Sequence, residues 1–531
     1  MRRFEQVWKN GQPMDQTDLI AALQHRSQGA ITTFKPDQWR AVEGLCHGPA
    51  PILLVQRTGW GKSLVYFAAT LALRQAGAGP TLLISPLLAL IRDQIRAASA
   101  LGLVAESITS ENAEHWDRIS AALARDAVDL LLISPERLGS EAFLSDRFSG
   151  MLGRVALFVI DEAHCISDWG HDFRPDYQRI RRLLTARLPP KVALLATTAT
   201  ANDRVTADIE AQLGPTTRTI RGPLGRESLQ LQTISLPTRA ARYAWLADVL
   251  PQVPGSGIIY TLTTREADRL AGWLRRRGLA VEPYHAQITD SGGLEASAHR
   301  QRREDGLRSN RLKALVATTA LGLGFDKPDL AFVFHYQRPA SLLQYYQQVG
   351  RAGRALESAY GVLLAGQEDE GVVQSFIDNA FPLESESRAV LEALAPASAG
   401  LSVTQLAAQT FLLESEVEQI VRLLAAREPP PVVRAGIRWL ATAAPYDPES
   451  ARIKALARVR RQEWRQMKAY ARTWGCLMRF LVRDLGDHDP GRCGRCAHCL
   501  GRPLLPRRPQ RASVSAAKAY LALAGSGGLS F

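Results

Sequence analysis

Short runs of consecutive apolar residues, each closed by a polar turn and followed by apolar residues at helical spacing, organise most of the chain. Leu53–Val55, Leu82–Ser85, Leu130–Ile133, Leu157–Ile160 and Val192–Leu195 read as strands within about residues 30–210. Gly257–Tyr260, Ala280–Tyr284, Ala314–Thr318 and Leu330–Phe334 repeat the plan within about 220–380. Strands this apolar are covered on both faces, which a parallel sheet between helix layers provides. The expected fold class is α/β with two parallel-sheet blocks, over residues 1–215 and 216–384.

Beyond residue 384 the rhythm changes. Ser402–Ala408, Glu414–Leu424 and Val432–Leu440 read as helix, helix and hairpin, so residues 385–450 are expected to form a winged-helix-like insert. Residues 451–502 are basic and helical, and the Pro/Arg-rich stretch from Arg502 to Arg511 marks residues 503–531 as a flexible tail.

With 531 residues, 46% of them apolar, three or four ordinary domains are possible. No run approaches a membrane span, and Met1-Arg2-Arg3-Phe4 leads into polar residues, so the expectation is a cytoplasmic protein. The net charge of +13 is placed unevenly: residues 451–531 hold 17 Lys and Arg against 4 Asp and Glu, and residues 1–450 balance. There Arg452, Lys454, Arg458, Arg460, Arg461, Arg465, Lys468 and Arg472 interleave with Trp464, Tyr470 and Trp474, a mixture suited to phosphate backbones and bases, or else to a solvated helix face.

Candidate chemistry starts where a strand meets a glycine loop. Pro51–Val55 runs into Gln56-Arg57-Thr58-Gly59-Trp60-Gly61-Lys62-Ser63 and then an apolar helix. Glycines let backbone N–H groups curl around phosphate oxygens, Lys62 reaches the terminal phosphates, and the Ser63 hydroxyl ligates Mg²⁺. Gln56 occupies the position of the first glycine in the full phosphate-loop string. About a hundred residues on, the strand Val155–Ile160 delivers Asp161 and Glu162, suited to hold hydrated Mg²⁺ and to activate the attacking water. The second block lacks a phosphate loop but carries Gln347-Gln348-Val349-Gly350-Arg351-Ala352-Gly353-Arg354. Arg351 and Arg354 lie one helical turn apart, and facing the first block they would act as arginine fingers.

Of six cysteines, Cys46 and Cys165 stand alone, whereas Cys476, Cys493, Cys496 and Cys499 have the spacing of a structural Zn²⁺ site. His498 is a further candidate near them.

Taken together these motifs resemble the RecQ-type DNA helicases of superfamily 2, over about residues 30–380 and 451–502. The resemblance implies two RecA-like motor domains, ATP and Mg²⁺ as cofactors, and Phe34-Lys35-Pro36-Asp37-Gln38 as the adenine-reading element, with Gln38 on the base. Thr58, Gly59, Gly61, Lys62, Ser63 and Asp161 would bind nucleotide; Lys62, Asp161, Glu162, Gln347, Arg351 and Arg354 would carry catalysis. Asp161 to His164 match the DEAH element, and Ala196 to Ala201 the coupling segment. Cys165 to Pro175 are similar to the family's aromatic-rich loop, so His164, Trp169, Phe173 and Arg174 would couple DNA occupancy to hydrolysis. Departures are Ile31 in place of an aromatic, Lys35 in place of arginine, Trp60 in the phosphate loop, Ala355 after the last arginine, and the insert at 385–450.

The implied function is ATP-driven 3′→5′ unwinding by a monomer on single-stranded DNA, with contacts to forked or junction duplex, and a repair or recombination role by analogy. Two other readings stay open: a translocase on duplex or RNA that separates no strands, and a DNA-binding protein without catalysis.

Overall fold

The computed structural model describes residues 15–525, apart from Pro49, Leu87, Ala426, Glu428, Asp489 and residues 110–111, 140–149, 167–179, 181–187, 190–191, 288–295, 323–324, 380–381 and 447–449. Trp169, Phe173 and Arg174 therefore lie outside the described residues.

The first lobe is built on β1 (Ile52–Val55), β2 (Thr81–Ile84), β3 (Ala105–Ile108), β4 (Leu130–Ile133), β5 (Leu157–Ile160), β6 (Ala193–Thr198) and β7 (Arg218–Arg221). All pair in parallel, in the order β3-β4-β2-β5-β6-β1-β7. The second lobe contains β8 (Leu229–Ser235), β9 (Gly257–Tyr260), β10 (Val281–Tyr284), β11 (Ala314–Ala317), β12 (Phe332–His335) and β13 (Ala359–Ala365), also parallel, in the order β10-β11-β9-β12-β13-β8. The central strands β1, β2, β4 and β5 are buried along their whole length, as apolar runs require. In the first sheet β1, β6 and β5 are neighbours, so the loops leaving their carboxyl ends meet where ligands bind in such sheets.

Helices Glu384–Leu394, Val403–Thr410 and Glu414–Ala425 precede an antiparallel hairpin of β14 (Val432–Ala435) and β15 (Arg438–Ala441), and Leu401 bridges to Trp439. Val390, Leu406, Val417, Ile420, Leu424 and Trp439 form the core of this unit, which has the helix and hairpin order expected of a winged helix.

The helix Ser450–Arg472 corrects one expectation. Trp464, Met467 and Tyr470 are buried in a core shared with the second lobe, where the Tyr470 ring lies 5.2 Å from that of Tyr345 and Arg338 stacks 5.0 Å from the centre of Trp464. These aromatics are packing groups and not a base-stacking platform; Trp474 remains 92% exposed.

The C-terminal stretch corrects another. In place of a flexible tail, residues Arg511–Gly525 form a helix packed on the second lobe. Leu504 N and Leu505 N donate to Gln232 Oε1, Trp245 Nε1 donates to Pro506 O at 2.6 Å, and Asp248 accepts from Gln510 N and Ser513 Oγ at the helix start. Tyr520 sits 5.3 Å from the Trp273 ring and donates to Arg269 O at 2.9 Å. Truncating a buried aromatic costs about 3–5 kcal/mol, so Tyr520→Ala is expected to lower the melting temperature of the second lobe by roughly 6–15 °C; calorimetry showing an unchanged melt would place residue 520 in a tail.

Candidate functional site

A cleft of about 430 Å³ separates the two sheets, and both lobes line it: Thr58, Gly59, Gly61, Lys62, Ser63, Asp161 and Glu162 from the first, Gln347, Arg351 and Arg354 from the second. The phosphate loop leaves β1 and starts the helix Lys62–Gln75 without a side-chain cap, so N–H groups at the helix start are left for an anion. Gly61 adopts φ +98, and a Cβ there would lie 2.7 Å from Gln38 Nε2, so both conformation and space demand glycine.

Gln38 braces this loop from behind. Its amide donates to Trp60 O at 3.3 Å and Gly61 O at 3.2 Å, while its Oε1 accepts from Lys35 N. Lys35 Nζ donates to Trp60 O at 2.7 Å and lies 5.4 Å from the Trp60 ring centre, and Trp60 is buried in the first-lobe core. The unusual tryptophan thus anchors the loop.

Lys62 Nζ donates to Gln56 O at 3.1 Å, poised at the loop's centre. Asp161 is held at both oxygens: Thr197 Oγ1 and Glu162 N donate to Oδ1 at 2.6 and 3.0 Å, and Gln94 Nε2 donates to Oδ2 at 2.6 Å. Burial, and then the adjacent Glu162, push its carboxyl above the usual carboxylate range. Two buried carboxylates facing a lysine make a hard-oxygen donor set, whose mutual repulsion a divalent cation relieves. Thr197 lies inside the coupling segment Ala196 to Ala201, and sequence reasoning assigned neither it nor Gln94 this clamp.

Glu162 adopts φ +50, an uncommon conformation for a residue with a side chain and one found at functional sites. Its Oε2 lies 3.3 Å from His164 Nδ1. Burial raises its pKa, but the neighbouring His164 and the charges of Lys62 and Arg351 outweigh that and hold it below the ordinary glutamate range. The group is therefore an ionised base facing the cleft. Across the interface Gln347 Nε2 lies 3.2 Å from His164 Nε2 and donates to Thr200 Oγ1 at 3.3 Å, so the second lobe touches the base through one imidazole.

Arg351 donates to Phe325 O at 2.9 Å, and Arg354 pairs with Asp326 at 2.8 Å. The Arg354 stem packs on the phosphate loop so closely that a Cβ at Gly59 would approach it to 3.3 Å. Arg351 and Arg354 thus line the same cleft as Lys62.

Away from the cleft, the sulfur atoms of Cys476, Cys493, Cys496 and Cys499 lie within 4.8 Å of one another. Backbone N–H groups of Arg479, Cys493, Cys496 and Cys499 point at these sulfurs from 3.3–3.4 Å, the pattern that stabilises thiolates around a tetrahedral metal. His498 is turned away and hydrogen bonds through Nδ1 to Gly475 O.

Comparison with known proteins agrees with this geometry. Residues 35–209 match the family model of the DEAD/DEAH box helicases, and residues 241–356 that of the helicase conserved C-terminal domain. The chain is 30% identical over 486 residues to the ATP-dependent DNA helicase RecQ of Bacillus subtilis, covering 90% of this chain and 67% of that protein. It is 35% identical over 352 residues to the RecQ-like DNA helicase blm-1 of Caenorhabditis elegans, of which it spans 34%. Among solved structures, Saccharomyces cerevisiae Dbp5 bound to RNA and ADP BeF3 superimposes with a TM-score of 0.54 at 19% identity, covering 67% of this chain and 89% of that one. The helicase MrfA bound to DNA gives a TM-score of 0.54 at 17% identity, covering 82% of this chain and 60% of that one. These two share the two-lobed fold. With both motor models matched and 30% of residues identical to Bacillus subtilis RecQ across 90% of this chain, the chain belongs to the RecQ-type ATP-dependent DNA helicases.

Proposed function

We propose that the chain hydrolyses ATP between its two lobes and uses the cycle to move 3′→5′ along single-stranded DNA, opening duplex ahead of it. The observation that carries this reading is the shared cleft: Lys62, Asp161 and Glu162 on one wall, Arg351 and Arg354 on the other. Ser63 and the doubly clamped Asp161 would hold Mg²⁺, which would supply positive charge against the phosphates. Lys62 positions the terminal phosphates, Glu162 takes the proton of the attacking water, and the two arginines meet charge that develops on the transferred phosphoryl group. Trp169, Phe173 and Arg174 report DNA occupancy to His164, and Gln347 passes the signal across the interface.

For duplex contact the wing is favoured over the third helix of the winged unit. Glu414, Glu416 and Glu418 are exposed on that helix and repel phosphates, whereas the hairpin presents Arg434 and Arg438. Four thiolates in a closed cluster fit structural Zn²⁺, and two of them, Cys476 and Cys496, share the second-lobe core with Leu477 and Leu481. Stripping the metal with a strong chelator is expected to lower the melting temperature and weaken DNA binding together; an unaltered melt with full metal loss would contradict a structural role.

The deciding experiment measures ATPase stimulation and strand displacement on single-stranded, forked, four-way-junction and RNA substrates. Displacement of forked DNA is expected; stimulation without displacement identifies a translocase instead.

A further inference from the structure

One buried cation is used by nothing described so far. Arg226 lies in the crossing segment between β7 and β8 and is 4% exposed. Its Nη1 donates to Thr58 O at 3.1 Å, Thr58 Oγ1 at 3.2 Å and Gly350 O at 2.7 Å, and its Nη2 to Ala352 O at 3.1 Å and Gly353 O at 3.2 Å. Thr58 belongs to the phosphate loop of the first lobe. Gly350, Ala352 and Gly353 form the turn that ends the helix Leu342–Val349 and carries Arg351 and Arg354.

We propose that Arg226 is a positioning residue that bolts the phosphate loop to the arginine-bearing turn and thereby sets the closed, hydrolysing arrangement of the lobes.

Three features support this. The carbonyls at a helix C-terminus lack intrahelical donors and carry partial negative charge, so a planar guanidinium fork suits them better than any other side chain. Thr58 Oγ1 also donates to Gly350 O at 3.1 Å, and a Cβ at Gly350 would lie 2.5 Å from that hydroxyl, so the two lobes approach as closely there as backbone permits. Finally, no carboxylate pairs with Arg226 among the described residues. Burial, with Arg57 and Arg354 nearby, lowers its pKa to about 10, which leaves it cationic at neutral pH. A cation left unpaired beside two others is better tolerated once the polyphosphate enters, so the bolt favours closure on nucleotide.

The proposal rests on ATP hydrolysis in this cleft but is tested separately from it. In the full chain with single-stranded DNA, Arg226→Gln is expected to lower kcat for ATP at least tenfold while KM changes less than threefold, because Lys62 and Ser63 are untouched. Arg226→Lys keeps the charge without the fork and is expected not to restore kcat. Thr58→Val should lose kcat severalfold and Thr58→Ser recover it, a pair that keeps the test open even if Arg226→Gln melts. The interlobe distance with ADP and beryllium fluoride, read by dyes on the two lobes, needs no turnover: wild type closes and both Arg226→Gln and Thr58→Val close less. Wild-type closure in those variants, or a wild-type kcat in Thr58→Val, overturns the bolt. A wild-type chain that closes without hydrolysing ATP overturns the proposed function and leaves the bolt supported.

Discussion

Arg351→Ala is expected to lower DNA-stimulated ATP turnover about 10³–10⁵-fold, with nucleotide affinity changed far less. Arg351 is 6% exposed, one of its Nη1 hydrogens is fixed on Phe325 O, and the residue lines the cleft. That geometry serves charge arising in the transition state, and interactions made only there raise kcat without changing ground-state binding. Lysine at this position is expected to rescue little, since a point charge on a flexible stem cannot reproduce the fork. Arg354 is already paired with Asp326, so its removal is expected to cost less. Single-turnover hydrolysis beside binding of a fluorescent ATP analogue decides the matter, and an Arg351→Ala rate within tenfold of wild type removes the residue from the mechanism.

The second large effect is at Glu162. The isosteric Glu162→Gln keeps the shape of the wall but cannot accept a proton, and loss of a positioned general base costs about 10²–10⁴-fold. ATP and DNA binding are expected to persist, giving a protein that loads and stalls. Because His164, Lys62 and Arg351 hold the carboxyl below the ordinary glutamate range, the base stays ionised as pH falls through that range. The acid limb of kcat should therefore lie lower than for a free glutamate. Robust unwinding by Glu162→Gln would assign the proton to another group.

The parts of this site that could be read in the sequence are those whose meaning lies in short spacing. Gly59-Trp60-Gly61-Lys62-Ser63, Asp161-Glu162, Arg351 with Arg354, and the four cysteines each declare their chemistry within a few residues. Most of the central strands were equally legible, being apolar along most of their length. Strands β3, β7 and β8 were not, because they edge their sheets and mix partly exposed with buried positions, and neither was the inner strand β13, whose apolar run is interrupted by Tyr360 and Gly361. Arg226 was invisible for a different reason: its partners lie 124 to 168 residues away, and a lone arginine in a linker carries no pattern. The misreading of Trp464 and Tyr470 was avoidable, since with Met467 they repeat at three-residue intervals on a helix, the signature of a buried stripe. The last helix was obscured by its Pro/Arg-rich approach, whose function is to carry the chain to Gln232 and Trp245.

That final clasp has a consequence for biosynthesis. Trp245 and its partner Pro506 are 261 residues apart, so the aromatic floor under Tyr520 cannot be sealed until the ribosome has added the residues between them. At about 5–20 residues per second the nascent second lobe holds an open greasy seam for roughly 13–52 s, long enough for chaperones to matter.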